Sequence, residues 1–429
     1  MRVRNRGRVR AALGVVGIGA LLALTACAPP ADPSTSATPT PTPEASSPEP
    51  YTGPVSFVGD ELSWLLPSAE DIVALIPSAS EVSAPSDALQ QISDGGGPEF
   101  APAICGVLYM EQSLASLGAR TMSWSMPSDT EYSSNSVIAM QFADEAQVAA
   151  RMDQLERAAA ECGAFDYGSP QTFESVVADD EDGARALAGT LNADPSSDGW
   201  RVFQGFAAVG NTLVHLRTSL PDDAPIDAAA AVELLQTTAI GAKSELMESL
   251  TSTPPAEATE PEGDASAPWA EWSITGSGVG PIRLGDTYDD VVAVLPGAAV
   301  TPPSYPGGPW IFTSPDGTAS LIVTATEDGT ISKITAGARS DEEDAGVDGV
   351  APHALEVRIG DPVSSALAAF PSGTRVHISS SGQWAYYAAD REGRLLTFHT
   401  SREDTDSTEA RIIGITTADT TLRGDLTVE

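Results

Sequence analysis

Three cysteines, four histidines and two acidic loops are the side chains with chemistry to offer in this chain of 429 residues. Cys105 and Cys162 lack the C-x-x-C spacing of a redox pair. Outside a reducing compartment two such thiols are expected to join as a disulfide, worth about 4 kcal/mol on a chain-entropy account. His215, His377 and His399 sit in strand-like sequence and His353 in a loop, none beside a serine or cysteine in a catalytic signature. No G-x-S-x-G elbow, H-E-x-x-H helix or Walker loop occurs. The loops ADDEDG (178–183) and SDEEDAGVDG (340–349) carry carboxylates that suit calcium, but neither has the ligand order of an EF-hand. They are read as solvated loops, and neither a metal nor a cofactor is expected.

Cys27 is different. Five arginines (Arg2, Arg4, Arg6, Arg8, Arg10) precede an apolar stretch that ends at Leu24-Thr25-Ala26-Cys27. Charged start, short apolar core and small residues are the layout of an export signal. The apolar stretch would reach about 21 Å as a helix, short of a hydrocarbon core of roughly 30 Å, so no permanent membrane span is expected. The Leu24–Cys27 segment resembles the lipobox of bacterial lipoproteins. That resemblance implies that the Cys27 thiol takes a diacylglycerol and that cleavage leaves it as the acylated N-terminus. Buried acyl methylenes contribute about 0.8 kcal/mol each, so two or three chains, palmitate among them, would anchor firmly. Residues 27–55 are rich in Pro, Ser and Thr and cannot bury enough surface to fold; they read as a tether.

The formal charge is −38, and −43 once the five arginines of residues 1–26 are removed. Such a surface repels nucleic acid and anionic headgroups. A second low-complexity stretch, 251–268, divides the remainder into regions 56–250 and 269–429.

The first region reads as α+β. Ser68 and Asp71 mark a helix start. Arg120 to Met126 and Ser136 to Phe142 alternate as strands. Asp144 opens a helix whose buried face runs through Val148, Met152, Leu155, Ala159 and Cys162. Strands follow at 173–177 and 184–191, then a hairpin around Gly210-Asn211, then a helix from Asp227 through Met247. This order, with its two cysteines and the FADEAQVAARM strand-to-helix join, resembles the PknH-like extracellular sensor domain of actinobacteria. The resemblance implies a sensing or binding domain built on a helix and antiparallel-sheet fold with a central cleft.

The second region contains an internal repeat, about 272–338 and 353–419. GPIRLGDTYDDVVAVLPG and LEVRIGDPVSSALAAFPS align with Arg283 on Arg358, Gly285-Asp286 on Gly360-Asp361 and Pro296 on Pro371, each 75 apart. Ile331 and Ile334 align with Ile412 and Ile415. Each copy reads as a short strand, a Gly-Asp turn capping a helix, and three or four strands. The pair resembles the tandem BLIP-like modules, which implies α+β units with helices on one face of an antiparallel sheet. Alternation places Trp384 and Tyr386 on one face and Tyr387 on the other. Trp310, Trp384, Tyr386 and Tyr387 are therefore candidates for a partner-binding surface, with core packing the competing reading.

Together these features describe a non-enzymatic binding or sensing lipoprotein on the extracytoplasmic face of a cell membrane. It would be held there by lipid on Cys27, with an envelope protein or a small molecule as its partner. An envelope hydrolase, or an inhibitor of a secreted protein acting through the repeats, is the alternative.

Overall fold

Ser68 accepts the Asp71 amide while the Asp71 carboxylate accepts the Ser68 amide, and this reciprocal cap starts helix α1 (Ala69–Leu75). The computed structural model describes residues 49–91, 99–127, 134–193, 201–220, 225–256, 258–340, 351–401 and 405–422. The expectations for the signal, for Cys27 and for loop 341–349 lie outside these residues. After α1 come β1 (Ala88–Gln91), β2 (Gly118–Ser123), β3 (Ser136–Gln141), α2 (Glu145–Glu161), β4 (Phe165–Asp166), β5 (Pro170–Val177), β6 (Arg185–Ala193), β7 (Arg201–Val209), β8 (Thr212–Leu220) and α3 (Ala228–Ser252).

Seven of these strands form an antiparallel sheet in the order β2-β3-β8-β7-β6-β5-β4. Alternation along each strand feeds two cores. Ala186, Ala188, Phe203, Val214 and Leu216 pack under α3. Met140, Leu187, Phe206 and Leu213 pack under α2, which buries Val148, Met152, Leu155 and Ala158. Ala158, not Ala159, continues that stripe. Cys162 is the C-cap of α2 and is bonded to Cys105 in the 3-10 turn Ala103–Leu108, with Cα atoms 5.8 Å apart. At the tip of the β7–β8 hairpin Gly210 has φ +54°, and a Cβ there would collide with the Val55 carbonyl. Buried Asn211 accepts the Phe57 amide and donates to Ser56 Oγ, so the entering chain is tied to the hairpin. The Tyr51 amide donates to Thr251 Oγ1, and Tyr51 and Val55 lie against the first core. The fold thus takes up the last residues of the stretch read as tether.

The second region adds β9 (Ile274–Thr275), β10 (Gly278–Val279) and β11 (Ile282–Arg283) as a small sheet. Then come α4 (Tyr288–Val294), β12 (Ala299–Thr301), β13 (Trp310–Thr313), β14 (Ser320–Ala325), β15 (Ile331–Gly337), α5 (Val363–Ala369), β16 (Thr374–Ile378), β17 (Gln383–Ala389), β18 (Arg394–Thr400) and β19 (Ile412–Asp419). The repeat is structural: each copy is one helix followed by a four-stranded meander. Gly285 and Gly360 both have φ +91°. Each donates its amide to the first residue of its copy's last strand, Ile331 or Ile412, at 2.8 Å. The aspartates do not cap the helices as expected; Thr287 and Pro362 hold the N-cap positions. Asp286 and Asp361 instead accept the amides of Arg283 and Arg358 at 2.9 and 2.8 Å, closing the turn backwards onto the preceding strand.

The two meanders join through their last strands. β15 pairs antiparallel with β19, Thr335 opposite Thr416 and Gly337 opposite Gly414. Equivalent residues of the two copies therefore meet at a pseudo-two-fold axis, where the Thr335 and Thr416 hydroxyls bond at 2.8 Å. Both helices cover one face of this sheet, with Val291, Phe312, Leu321, Ala366, Phe398 and Ile415 between. The fold class is α+β throughout.

The low-complexity stretch separates the regions in sequence but not in space: Pro48–Glu429 is one compact unit. Strand β1 leaves the first region and pairs in parallel with β16, extending the second sheet to nine strands. Leu89 and Val376 then share a core with Leu108, Ala119 and Met140. Arg120, with 4% of its side chain exposed, bonds Asp60 at 2.7 Å and the carbonyls of Ser372 and Gly373 at 2.9 and 3.2 Å. Arg391 pairs with Glu61, and Gln141 Nε2 donates to the Asp390 carbonyl.

Candidate functional site

The four aromatic candidates do not form one surface. Tyr386 is 1% exposed and packs between Phe398 and the end of α5, its hydroxyl donating to the Phe370 carbonyl. Tyr387 faces the other way and fills the joint between the regions, against Leu117, Ala143 and Leu395. Trp310 is half-buried on the helix face, its ring 4.1 Å from that of Tyr288. Trp384 is half-buried and stacked on His377 at 4.3 Å. Core and joint packing account for Tyr386, Tyr387 and Trp310. The sheet face opposite the helices is taken up beside β16 and β17 by the first region, which the sequence alone had left open.

Three of the histidines, His215, His377 and His399, make ring stacks or hydrogen bonds within the sheets, while the buried Nδ1 of His353 has no hydrogen-bond partner among the described residues. His215 stacks on Phe206 at 4.6 Å and contacts Gln204 Oε1 at 3.2 Å. Burial, helped by nearby Arg217, pushes its pKa down to about 3, so the ring stays neutral. His399 Nε2 meets Thr416 Oγ1 at 2.8 Å. In the 178–183 loop Asp180 holds the Gly183 amide and Asp182 pairs with Lys243. Among the described residues no group of three His, Cys, Asp or Glu side chains is placed to hold a metal ion.

Two clefts lie where the regions meet. A cleft of about 620 Å³ is walled by Leu250 in the last turn of α3 with Pro254 and Pro255 beyond it, by Ile274 to Ser277 in and after β9, and by Leu355, Phe370 and Leu396. A second, about 540 Å³, lies along the joint between Glu61, Gly118 and Gln141 on one side and Pro371, Thr374 and Tyr387 on the other. Val58 and Phe370 line both. These volumes fall in the range of small-ligand sites.

The charges of the larger cleft come from the β17–β18 turn. Asp390 Oδ1 accepts the amides of Glu392 and Arg394, both at 2.9 Å. Arg391 is neutralised by Glu61, and Arg394 by Glu392 at 2.9 Å. Asp390 remains as the carboxylate with no cationic partner at ion-pair distance among the described residues. Burial pushes its pKa above the usual carboxylate range, against the opposing pull of those two amides and of Arg394. A carboxyl with a raised folded-state pKa favours the fold below the ordinary aspartate pKa, and loses that contribution as pH rises through the folded value. Asp390→Asn is therefore expected to melt with the parent at pH 4 and above it at pH 7.5; equal melting temperatures at both would contradict this.

At the cleft mouth Leu355 is 61% exposed and has φ +52°. It occupies a tight turn closed by reciprocal amide bonds between Ala354 and Val357. Its counterpart 75 residues earlier is Gly280, also at φ +52°. There a Cβ would collide with the Trp272 ring, so glycine is required. The second copy puts leucine into the same left-handed backbone, at a cost of about 1–2 kcal/mol. The repeat alignment could have flagged this substitution in the sequence. Asp390 carried no local signal.

No family model and no curated protein matches the chain. Among solved structures it is similar to the extracellular domain of PknH from Mycobacterium tuberculosis, at 12% identity and a TM-score of 0.31, over 45% of this chain and 98% of that one. It is also similar to the Rv0999 ortholog from Mycobacterium smegmatis, at 17% identity and a TM-score of 0.25, over 43% and 97%. Likenesses this low transfer no ligand to this chain. No helix among the described residues is long and apolar enough to cross a membrane.

Proposed function

We propose that this is a non-enzymatic, lipid-anchored binding or sensing protein of the extracytoplasmic membrane face whose ligand occupies the cleft between its two regions. The observation that carries this reading is the larger cleft, apolar over most of its wall and built from both regions, so that an occupant touches both at once. Its charged lining is Asp390, Arg391, Glu392 and Arg394, with Arg394 paired to Glu392 and Arg391 to Glu61 outside the lining, and it holds no imidazole or thiol. We read the first region as PknH-like from its order of elements and the second as a pair of BLIP-like modules. The disulfide is in keeping with an oxidising compartment.

A plug tests the site. Gly276 lines the cleft outside the left-handed region, and a Cβ there would stand 3.3 Å from Asp390 Oδ2. Gly276→Trp is expected to fill the cleft and keep the fold. A ligand at 100 times its Kd stabilises by about 2.7 kcal/mol, a shift readable by thermal melting against envelope extracts. The shift should be present in the parent and absent in the plugged variant; an equal shift in both places the ligand elsewhere. For the anchor, an alkyne fatty acid should label the parent and not Cys27→Ala, and equal labelling rejects Cys27.

A further inference from the structure

We propose that the larger cleft takes a cationic amphiphile, its alkyl chain on the apolar wall that includes Leu355, Phe370 and Leu396 and its ammonium group at Asp390 Oδ2. This rests on the cleft being the ligand site.

Three independent features lead here. The first is charge. Both amides that reach the Asp390 carboxylate bond Oδ1, and among the described residues nothing hydrogen-bonds Oδ2. Gly276 lies beside that oxygen without a side chain to cover it. The lining itself holds two carboxylates and two arginines, Asp390, Glu392, Arg391 and Arg394, but Glu61 outside it pairs with Arg391 and Glu392 with Arg394, so that among the described residues Asp390 is left without a cation at ion-pair distance, inside a chain of formal charge −38. A cation entering the cleft gains from both the local carboxylate and the overall field; an anion meets both as repulsion.

The second is the wall. Val58, Pro254, Pro255, Leu355 and Phe370 come from four separate segments and leave apolar side-chain surface open to the cleft, over a floor of nearly inaccessible Leu250, Ile274 and Leu396. A head group alone would leave that surface wet. An alkyl chain covers it, and each methylene buried should tighten binding about fourfold.

The third is Leu355. A leucine held in glycine's backbone conformation, three-fifths exposed, gains nothing from the fold that glycine at the equivalent turn does not already give. At the mouth of an apolar cleft the same side chain closes over a chain lying inside. The strain is then offset only when the cleft is filled.

The test is calorimetric titration of the disulfide-bonded ectodomain with dodecylammonium, dodecanoate and dodecanol below their micelle concentrations, at 0.15 M and 0.5 M salt. Dodecylammonium should bind at least tenfold tighter than dodecanoate at both salts. Because the whole surface is anionic, the deciding arm is Asp390→Asn: it should reduce the ammonium preference over dodecanol severalfold while dodecanol affinity is unchanged. Leu355→Gly should weaken all three chains at least fivefold with a melting temperature no lower than the parent's. An unchanged ammonium preference in Asp390→Asn, or equal binding of the three ligands, overturns the cationic head. Unchanged chain affinity in Leu355→Gly overturns its role as the closing side chain. If dodecanol matches dodecylammonium and Gly276→Trp blocks both, the cleft reading stands and the ligand class is wrong. If no chain binds, the amphiphile is wrong, and the plug's effect on the extract-induced melting shift decides the cleft separately.

Discussion

Arg120→Ala is expected to destabilise the protein by about 3 kcal/mol and to loosen one region from the other. The side chain is almost wholly buried and spends its donors on carbonyls of both regions: Ala119 at 2.8 Å in its own strand, and Ser372 and Gly373 across the joint. Removing it leaves those acceptors without a charged donor, and each hydrogen bond to a charged group contributes about 1.5–3 kcal/mol. The visible ion pair is the lesser part. Asp60 is mostly exposed, so Asp60→Asn should cost well under 1 kcal/mol. Arg120 holds the Asp60 carboxyl below the usual range. A depressed carboxylate stabilises above its unfolded pKa and loses that effect as pH falls through the folded value, so the Asp60 contribution should fade only in acid, below about pH 4. Urea unfolding of the three proteins, with hydrogen exchange at β1 and β16, separates these outcomes. Arg120→Ala should expose the β1 amides first. If β1 stays as protected as the core of β7, the joint does not depend on Arg120.

Local physics made much of this fold readable, and long-range packing hid the rest. The Ser68–Asp71 cap, the α2 stripe from Val148 to Leu155 and the Gly210-Asn211 hairpin depend on neighbours a few residues away, so their spacing carried them. The repeat was legible because two copies must satisfy the same turn, and the matching φ of Gly285 and Gly360 is that constraint. The role of Asp286 and Asp361 was misjudged because a capping aspartate and one that bonds backwards have the same sequence signature. Strand β1 was invisible: Ala88 to Gln91 is short, and its partner β16 lies almost 290 residues further on. The joint decided the fate of Tyr387 as well. An aromatic at a strand position reads the same whether a partner or a distant part of its own chain covers it.

Cys105→Ala with Cys162→Ala is expected to cost at least 4 kcal/mol and to lower the melting temperature by about 10 °C. The bond closes a loop across a separation of 57 residues, worth about 4 kcal/mol of unfolded-chain entropy. Two further terms have the same sign. Both sulfurs are fully buried, among Met152, Leu155 and Phe165, so alanine leaves a cavity where there was packing. The bond also pins the 3-10 turn Ala103–Leu108 over the sheet, where the Leu108 carbonyl accepts Gln204 Nε2 at 3.0 Å. Freeing that turn exposes the polar layer beneath it, where His215 is kept neutral by burial. At the melting point a protein of a few hundred residues loses about 2–4 °C per kcal/mol, which sets the size of the shift. Calorimetry of the parent with and without reductant, beside the double variant, tests it. The reduced parent should fall close to the variant, and hydrogen exchange should rise first at 103–108 and the C-terminal turn of α2. A reduced parent that melts with the oxidised one would mean that the packing of α2, not the cross-link, holds this face of the sheet.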